Sequence, residues 1–252
     1  MKLIDLELYL KEYLEIARFK DYCPKGLIVE GKADVLSGIT GVSLSLELIE
    51  VAIAKNADFI LVHHPHGFWD NQSTIIRGVH KQKIERLLNH GISLFGFHLP
   101  LDAHPVVGNN VLIAQSLGLQ PCKGFLNHSG QDIGLIAEYE NAISRNDFIQ
   151  LIDSQIGISN CQFLFGTEFI RKVGICSGSA PHGIEESQSL GLDLYLTGEA
   201  RENTHSFCKD EQLNYIAAGH HKTEVYGVRA LARHLSQRFE LSVEFVDIDN
   251  PI

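Results

Sequence analysis

Apolar residues along the chain follow two alternating patterns, one typical of strands and the other of helices. Short apolar runs of strand length alternate with segments whose apolar residues are three or four positions apart. The predicted strands are 26–29, 39–44, 58–62, 92–97, 134–140, 162–165, 172–176, 192–196, 215–218 and 243–246. The predicted helices are 5–16, with Asp5 as its cap, 46–54, 81–88, 147–154, 184–190 and 224–239. Strands that alternate with helices predict an α/β fold.

Histidines and carboxylates directly follow three of the predicted strands. In α/β proteins, ligands bind at the carboxyl ends of strands. Imidazole nitrogens and carboxylate oxygens together suit Zn, Mn, Fe or Co, so these segments predict a metal site. Taken alone, each segment could also be a chance pairing among 13 histidines or part of a solvated helix. The segments are His63-His64, His98 with Asp102 and His104, and His220-His221 with Glu224.

His220 and Glu224 are four residues apart. If a helix begins near His220, both side chains lie on one face and could hold one ion between them.

The segment 174–178 lies between a predicted strand and a predicted helix. Its backbone N–H groups could contact phosphate, although it lacks the Lys and Ser/Thr of a P-loop, and the alternative is a simple tight turn. Cys176 could be a nucleophile only if a basic partner lowered its pKa, and otherwise it is a small buried residue.

Five further polar residues are candidates to support metal ligands. Glu199 and His205 could orient ligands, or they could be solvated residues at a helix start. Three histidines adjoin the candidate ligands and are expected at the rim or behind the ligands, namely His66, His104 and His221.

Composition and charge narrow the classes of function. The 252 residues carry a net charge of -10, so the surface should repel a phosphate backbone and nucleic-acid binding is disfavoured. The negative net charge does not exclude a small anionic substrate, because bound cations supply local positive charge. The five cysteines are scattered and form no zinc-finger spacing, which predicts reduced thiols.

The N-terminal segment lacks the basic and apolar regions of a secretion signal, and the apolar runs are shorter than the ~20 residues that cross a bilayer. The sequence therefore predicts a cytoplasmic protein without a membrane partner. The polar, glycine-containing segment 124–131 predicts a crossing between two domains, 1–125 and 126–252. The final helix could pack on the first domain.

Five motifs carry a resemblance to a known family. The motifs are VHHPHGFW (62–69), HLPLDAHP (98–105), GICSGSA (174–180), LYLTGE (194–199) and GHHKTEVYGV (219–228). By these motifs the chain resembles the GTP cyclohydrolase type 2 homologues, also called the Nif-three-like family of dinuclear metal proteins, from the N-terminal helix nearly to the C-terminus. It departs from the family at Cys23-Pro24-Lys25-Gly26-Leu27, where members commonly have an Asp-Asn-type turn.

The resemblance implies two divalent transition-metal ions, each Zn, Fe, Mn or Co. It also implies two similar α/β domains with mixed sheets and a metal site in the cleft between them. The assembly that it implies is a ring-shaped homohexamer whose sites face an inner cavity. The metal ligands that it implies are His63, His64, Asp102, His220 and Glu224.

Two functions follow as alternatives. The first is a dinuclear-metal-dependent hydrolase that resembles a GTP cyclohydrolase and opens the ring of a purine nucleotide, a small-molecule substrate. His98 is then the candidate catalytic acid, since an imidazole can transfer protons at neutral pH. The second is a non-enzymatic, metal-braced hexameric scaffold or regulatory protein. Five ligands for two ions leave open positions for water, which favours the hydrolase.

Overall fold

The structure, a computed structural model, describes residues 1–72 and 74–252. Close contacts divide the chain into two compact units. The first unit comprises Met1–Leu101 and Gly227–Asp249, and the second comprises Asp102–Tyr226 and Asn250–Ile252.

Strands and helices alternate along most of the chain. The strands are β1 (Gly26–Val29), β2 (Ser37–Ser43), β3 (Phe59–His64), β4 (Ser93–Gly96), β5 (Gln120–His128), β6 (Gln131–Ser144), β7 (Cys161–Leu164), β8 (Phe169–Cys176), β9 (Leu194–Thr197), β10 (Asn214–Ala217) and β11 (Ser242–Phe245). The helices are α1 (Leu3–Tyr13), α2 (Leu46–Ala54), α3 (Gly78–His90), α4 (Leu99–Ala103), α5 (Asn109–Ser116), α6 (Arg145–Gln155), α7 (Gly183–Ser189), α8 (Thr204–Asp210) and α9 (His220–Arg238), with a 3-10 turn at Ile16–Arg18.

The first unit is built on a five-stranded mixed sheet in the order β1-β4-β3-β2-β11. The strands β4, β3, β2 and β11 are parallel to one another, and β1 pairs with β4 in the antiparallel direction. Every residue of β3 is buried, as expected of a central strand covered on both faces. Ile60, Val62 and Leu94 of the sheet pack with Leu48 of α2 in the core.

The second unit is built on a six-stranded mixed sheet in the order β5-β6-β8-β9-β10-β7. The three strands β8, β9 and β10 are parallel, whereas β5, β6 and β7 pair in the antiparallel direction. Apolar residues of the strands, such as Ile175 and Leu196, form its core with Phe148 of α6 and Ile113 of α5. The predicted α/β fold with two mixed sheets is confirmed.

Two local predictions match residue by residue, namely strand 26–29 and helix 46–54. Helix α2 begins where predicted because the hydroxyl of Ser45 accepts a hydrogen bond from Leu48 N, 3.0 Å away. The cap predicted for the first helix is wrong. Helix α1 begins at Leu3, so Asp5 lies inside its first turn, where a carboxylate favours the positive end of the helix dipole.

The segment 124–131, predicted to cross between domains, forms the end of the hairpin that joins β5 to β6. Gly130 adopts a left-handed backbone, φ +94°, and its N–H donates to Asn127 Oδ1 at 3.0 Å, which closes the turn. The polar composition that suggested a linker is that of an exposed hairpin. The boundary between the predicted domains 1–125 and 126–252 falls inside β5, and that division into domains stays a prediction.

Within the described ranges, no helix combines the length and the apolar character needed to span a membrane.

Candidate metal centre

Three histidines of the first unit lie together at the carboxyl ends of β3 and β4. His63 and His64 end β3, and His98 follows β4 by two residues. The two strands are parallel neighbours whose ends are in register, so their last side chains meet at one edge of the sheet. Each histidine offers one ring nitrogen, and the three nitrogens lie within 4.8 Å of one another. The ring centroid of His63 is 4.6 Å from that of His64 and 5.1 Å from that of His98.

The Nδ1 atoms of the first two histidines are each engaged by an oxygen. His63 Nδ1 lies 3.0 Å from the carbonyl oxygen of Phe97, and His64 Nδ1 lies 3.3 Å from Ser43 Oγ. Metal-binding histidines typically donate one ring N–H to such an oxygen, which orients the ring and leaves the other nitrogen to bind the ion. The arrangement therefore fits a metal bound through Nε2 of each ring.

His98 is held by a carboxylate that the sequence analysis missed. Its Nδ1 lies 2.8 Å from Asp21 Oδ1, and the Asp21 side chain has 0% of its surface exposed. Burial of Asp21 opposes its ionisation. The hydrogen bonds from His98, Tyr22 and Leu99 outweigh burial and hold the pKa of the carboxyl below its ordinary value. The neighbouring Cys23 is also buried, and burial raises the pKa of its thiol to about 12.

Hydrogen bonds and ring contacts hold the loop after β3 beside the three histidines. The indole N–H of Trp69 donates to His66 Nδ1 at 3.0 Å, and the Trp69 ring meets His98 edge-on at a centroid distance of 5.1 Å. The ammonium of Lys83 is buried and donates to the carbonyl oxygens of Leu44 at 2.7 Å and His66 at 3.1 Å. Burial lowers the pKa of Lys83. His66 is exposed, as expected for a residue at the rim.

Asp102 lies in α4 at the start of the second unit and is only 5% exposed. Its Oδ1 accepts hydrogen bonds from Asn109 Nδ2 and from Ser177 Oγ, both at 2.8 Å. A buried carboxylate requires such donors or a cation. The two donors orient the carboxylate as the supports of a metal ligand would.

His220 begins α9 and Glu224 lies one turn later, so their side chains meet on one face of the helix. His220 Nε2 is 3.2 Å from Glu224 Oε1, and Glu224 is 2% exposed. On its other side, His220 Nδ1 contacts Glu199 Oε1. Burial lowers the pKa of His220, but its bonds to Glu224 and Glu199 outweigh burial and raise the pKa to about 9. A position between two carboxylates favours a cation.

The loop after β8 contacts each of these acidic groups of the second unit. Besides the bond from Ser177 to Asp102, the hydroxyl of Ser179 donates to Glu199 Oε2 at 3.1 Å. Gly178 N donates to Thr223 Oγ1 at 3.0 Å. A Cβ added to Gly178 would lie 2.2 Å from Glu224 Oε1. The motif GICSGSA therefore holds the carboxylates of Asp102 and Glu199 in place.

The predicted phosphate loop, 174–178, is in large part strand, because β8 continues to Cys176. The N–H groups that follow the strand donate within the chain, that of Ser177 to Asn110 Oδ1 at 2.8 Å and that of Gly178 to Thr223 Oγ1 at 3.0 Å, which favours the alternative of a tight turn. Cys176 is buried, and burial raises the pKa of its thiol far above the ordinary range, so the interpretation as a small buried residue holds.

Three flanking histidines have local contacts of their own. His104 Nδ1 accepts the N–H groups of Val106 and Val107, both at 3.1 Å, which closes the turn after α4. The N–H of His221 donates to the carbonyl oxygen of Ile252 at 2.9 Å. Of the two alternatives for His205, the structure favours the solvated residue at a helix start, because its exposed ring packs edge-on against Phe163 and Phe165.

Buried groupings of histidine and carboxylate among the described residues could thus hold a metal ion. The donor set of imidazole nitrogen and carboxylate oxygen suits Zn, Fe, Mn and Co. Asp21 and Ser177 were missed, since their partners His98 and Asp102 are 77 and 75 residues away in the sequence. Asn109 was missed although Asp102 is only 7 residues away.

Comparison with known proteins confirms the resemblance. The Duf34/NIF3 (NGG1p interacting factor 3) family matches residues 1–251. Curated relatives named GTP cyclohydrolase 1 type 2 homolog include one from Yersinia pestis, 37% identical over 100% of both chains. Another, from Allochromatium vinosum, is 39% identical over 98% of this chain and 96% of the relative.

Solved structures share the fold over the whole chain. One described as protein ybgI, of unknown function, has a TM-score of 0.94 and 35% identity and covers 100% of both chains. A second, TTHA1606 from Thermus thermophilus, has a TM-score of 0.85 and 32% identity with the same coverage. The chain therefore belongs to the Duf34/NIF3 family.

Proposed function

We propose that this chain is a dinuclear-metal-dependent hydrolase that acts on the ring of a purine nucleotide. The observation that carries the proposal is the cluster of three histidine ring nitrogens within 4.8 Å at the ends of β3 and β4. The name of the relatives, GTP cyclohydrolase 1 type 2 homolog, supports the class of substrate.

Five residues are proposed to hold two divalent ions. When bound, such ions lower the pKa of water and stabilise a developing oxyanion. Glu199 orients the ring of His220, and Ser177 with Asn109 orients Asp102. The proposed ligands are His63, His64, Asp102, His220 and Glu224.

In the proposed reaction, water adds to the carbon between the two imidazole nitrogens of the purine. The C–N bond then breaks and the carbon leaves as formate after a second hydrolysis. His98 is the proposed catalytic acid, which protonates the departing nitrogen. Asp21 behind His98 stabilises the charge that the ring carries during transfer.

The test is formate release from GTP and a small set of purine nucleotides, measured with and without added divalent metal. We expect chelation to abolish release. His98→Ala should lower the rate by about 10²–10⁴-fold, the usual contribution of a positioned acid or base, with metal content unchanged. His90→Ala is the matched control, since His90 is an exposed histidine of the same unit.

If fully metal-loaded protein turns over none of these nucleotides, a metal-braced scaffold replaces the hydrolase as the function. A rate loss in His98→Ala that is accompanied by metal loss would place His98 among the ligands instead.

We also propose a cytoplasmic homohexamer that takes a small-molecule substrate and does not bind nucleic acid. The assembly rests on the family resemblance, and the exclusion of nucleic acid rests on the net charge of -10. Light scattering should give a mass near six times 28.0 kDa. A monomeric mass at micromolar concentration would contradict the proposed hexamer.

A further inference from the structure

Asp21 is a buried carboxylate outside the proposed metal ligands, and three donors converge on it. Its Oδ1 lies 2.8 Å from His98 Nδ1 and accepts the N–H of Tyr22 at 2.6 Å. Its Oδ2 accepts the N–H of Leu99 at 2.9 Å. The carboxylate therefore holds both the His98 ring and the backbone of the next residue, which limits rotation of that ring.

The contact with Asp21 also selects where His98 carries its proton. An ionised carboxylate only accepts hydrogen bonds, and a neutral imidazole has one donor nitrogen and one acceptor nitrogen. With a carboxylate oxygen 2.8 Å from Nδ1, a proton on Nδ1 forms a charge-assisted hydrogen bond. A proton on Nε2 would instead leave two lone pairs facing each other in a buried place.

The Asp21 carboxylate is ionised and shielded from water. Its pKa lies below the ordinary value because the three hydrogen bonds outweigh burial, and its side chain is 0% exposed. Water therefore does not compete for the contact with Nδ1, and the preference for one tautomer is kept.

We propose that Asp21 is a positioning residue that holds His98 in the Nδ1–H tautomer and so presents Nε2 as an acceptor. The histidines His63 and His64 lie in the same cluster as His98, so the His98 ring belongs to the proposed metal centre. The structural part of this inference stands independently, and its catalytic consequence rests on the proposed function.

The catalytic consequence is an order of proton transfers. Nε2 first takes a proton from the attacking water while the C–O bond forms, and the resulting imidazolium is stabilised by Asp21. As the C–N bond breaks, Nε2 returns that proton to the departing nitrogen. His98 therefore gains one proton and gives back one proton in each reaction, and no oxidant or reductant is needed.

The experiment uses full-length protein with ¹⁵N-labelled histidines, free of metal and then loaded with diamagnetic Zn²⁺. The ¹⁵N shifts and couplings of the His98 ring, recorded at mildly alkaline pH, report which ring nitrogen carries hydrogen. His98→Gln identifies the His98 signals by their loss. In the metal-free parent we expect His98 to carry its proton on Nδ1.

Asp21→Ala removes the acceptor, so His98 should shift towards the Nε2–H tautomer. The matched control is Asp58→Ala, because Asp58 of the same unit also accepts two backbone N–H groups, from Leu36 and Ser37. We expect Asp58→Ala to leave the His98 signals unchanged. In the activity assay, Asp21→Ala should lower kcat by up to about 10²–10⁴-fold with little change in KM or metal content.

A parent protein whose His98 carries the proton on Nε2 would overturn the inference, and this result does not depend on any variant folding. An Asp21→Ala protein that keeps the Nδ1–H tautomer would also overturn it. If the tautomer is as expected but no purine nucleotide is turned over, the proposed function fails while the role of Asp21 in positioning His98 stands.

Discussion

Gly178→Ala tests whether the position of Glu224 matters for metal binding. A Cβ at residue 178 would lie 2.2 Å from Glu224 Oε1 and 3.2 Å from His220 Nε2. Ordinary van der Waals contact begins at 3.4 Å, so the carboxylate has to move by about 1 Å. Glu224 is only 2% exposed and has little space into which it can move.

A displacement of this size is large on the scale of metal coordination, where ligand distances are held to about 0.2 Å. We expect metal affinity to fall by at least about tenfold, within the 10–100-fold range that loss of ligand orientation causes. The substitution also strains the backbone, which lowers the stability of the protein separately from any effect on metal binding. Gly178 has φ +67°, and a left-handed conformation costs a residue with Cβ about 1–2 kcal/mol.

Gly191→Ala is the matched control for the backbone strain. Gly191 lies in the same unit with φ +63°, and nothing lies within 4 Å of an added Cβ. Elemental analysis after dialysis against a weak chelator gives the metal content, and denaturant unfolding gives the stability of each variant. Both variants should lose about 1–2 kcal/mol from the strained backbone, whereas only Gly178→Ala should lose metal. Equal metal in the two variants would refute the reasoning.

Three further outcomes test the metal centre. The parent should carry close to two transition-metal ions per chain, and His64→Ala combined with Glu224→Ala should lose most of them; equal metal in both proteins would contradict the ligand assignment. Trp69 is the single tryptophan and lies 5.8 Å from His64 between ring centroids, so Co²⁺ should quench its fluorescence, and an unchanged emission on loading would argue against binding there. Ser177→Ala removes a hydrogen-bond donor to Asp102 Oδ1 and should weaken metal binding by about 10–100-fold in a chelator competition, whereas unchanged affinity would show that Ser177 has no role in binding.

Elements with strong local signals were predictable from their own residues. Helix 46–54 combines apolar spacing with the cap Ser45, and strand 26–29 is a short apolar run with a glycine at its start. The strand-end histidines His63 and His64 were predictable for the same reason, since a buried strand that stops at polar residues is visible in the sequence.

Elements that depend on a partner were not predictable. Strand β5 has a mostly exposed first half with no clear alternation, and its strand conformation comes from pairing with β6. Helix α9 begins at His220, four residues before the apolar spacing suggested, and Thr223 hydroxyl contacts with Gly219 and His220 support that first turn.

The supports of the candidate ligands could be known only from the fold. Asp21 is 77 residues from His98 in the sequence, and Ser177 is 75 residues from Asp102. The local sequence pattern shows which positions are periodically buried and where a helix is capped, because both features depend on residues a few positions apart. The pairing of a buried carboxylate with its donors depends on which strands become neighbours, and strand order is set by packing of the whole sheet.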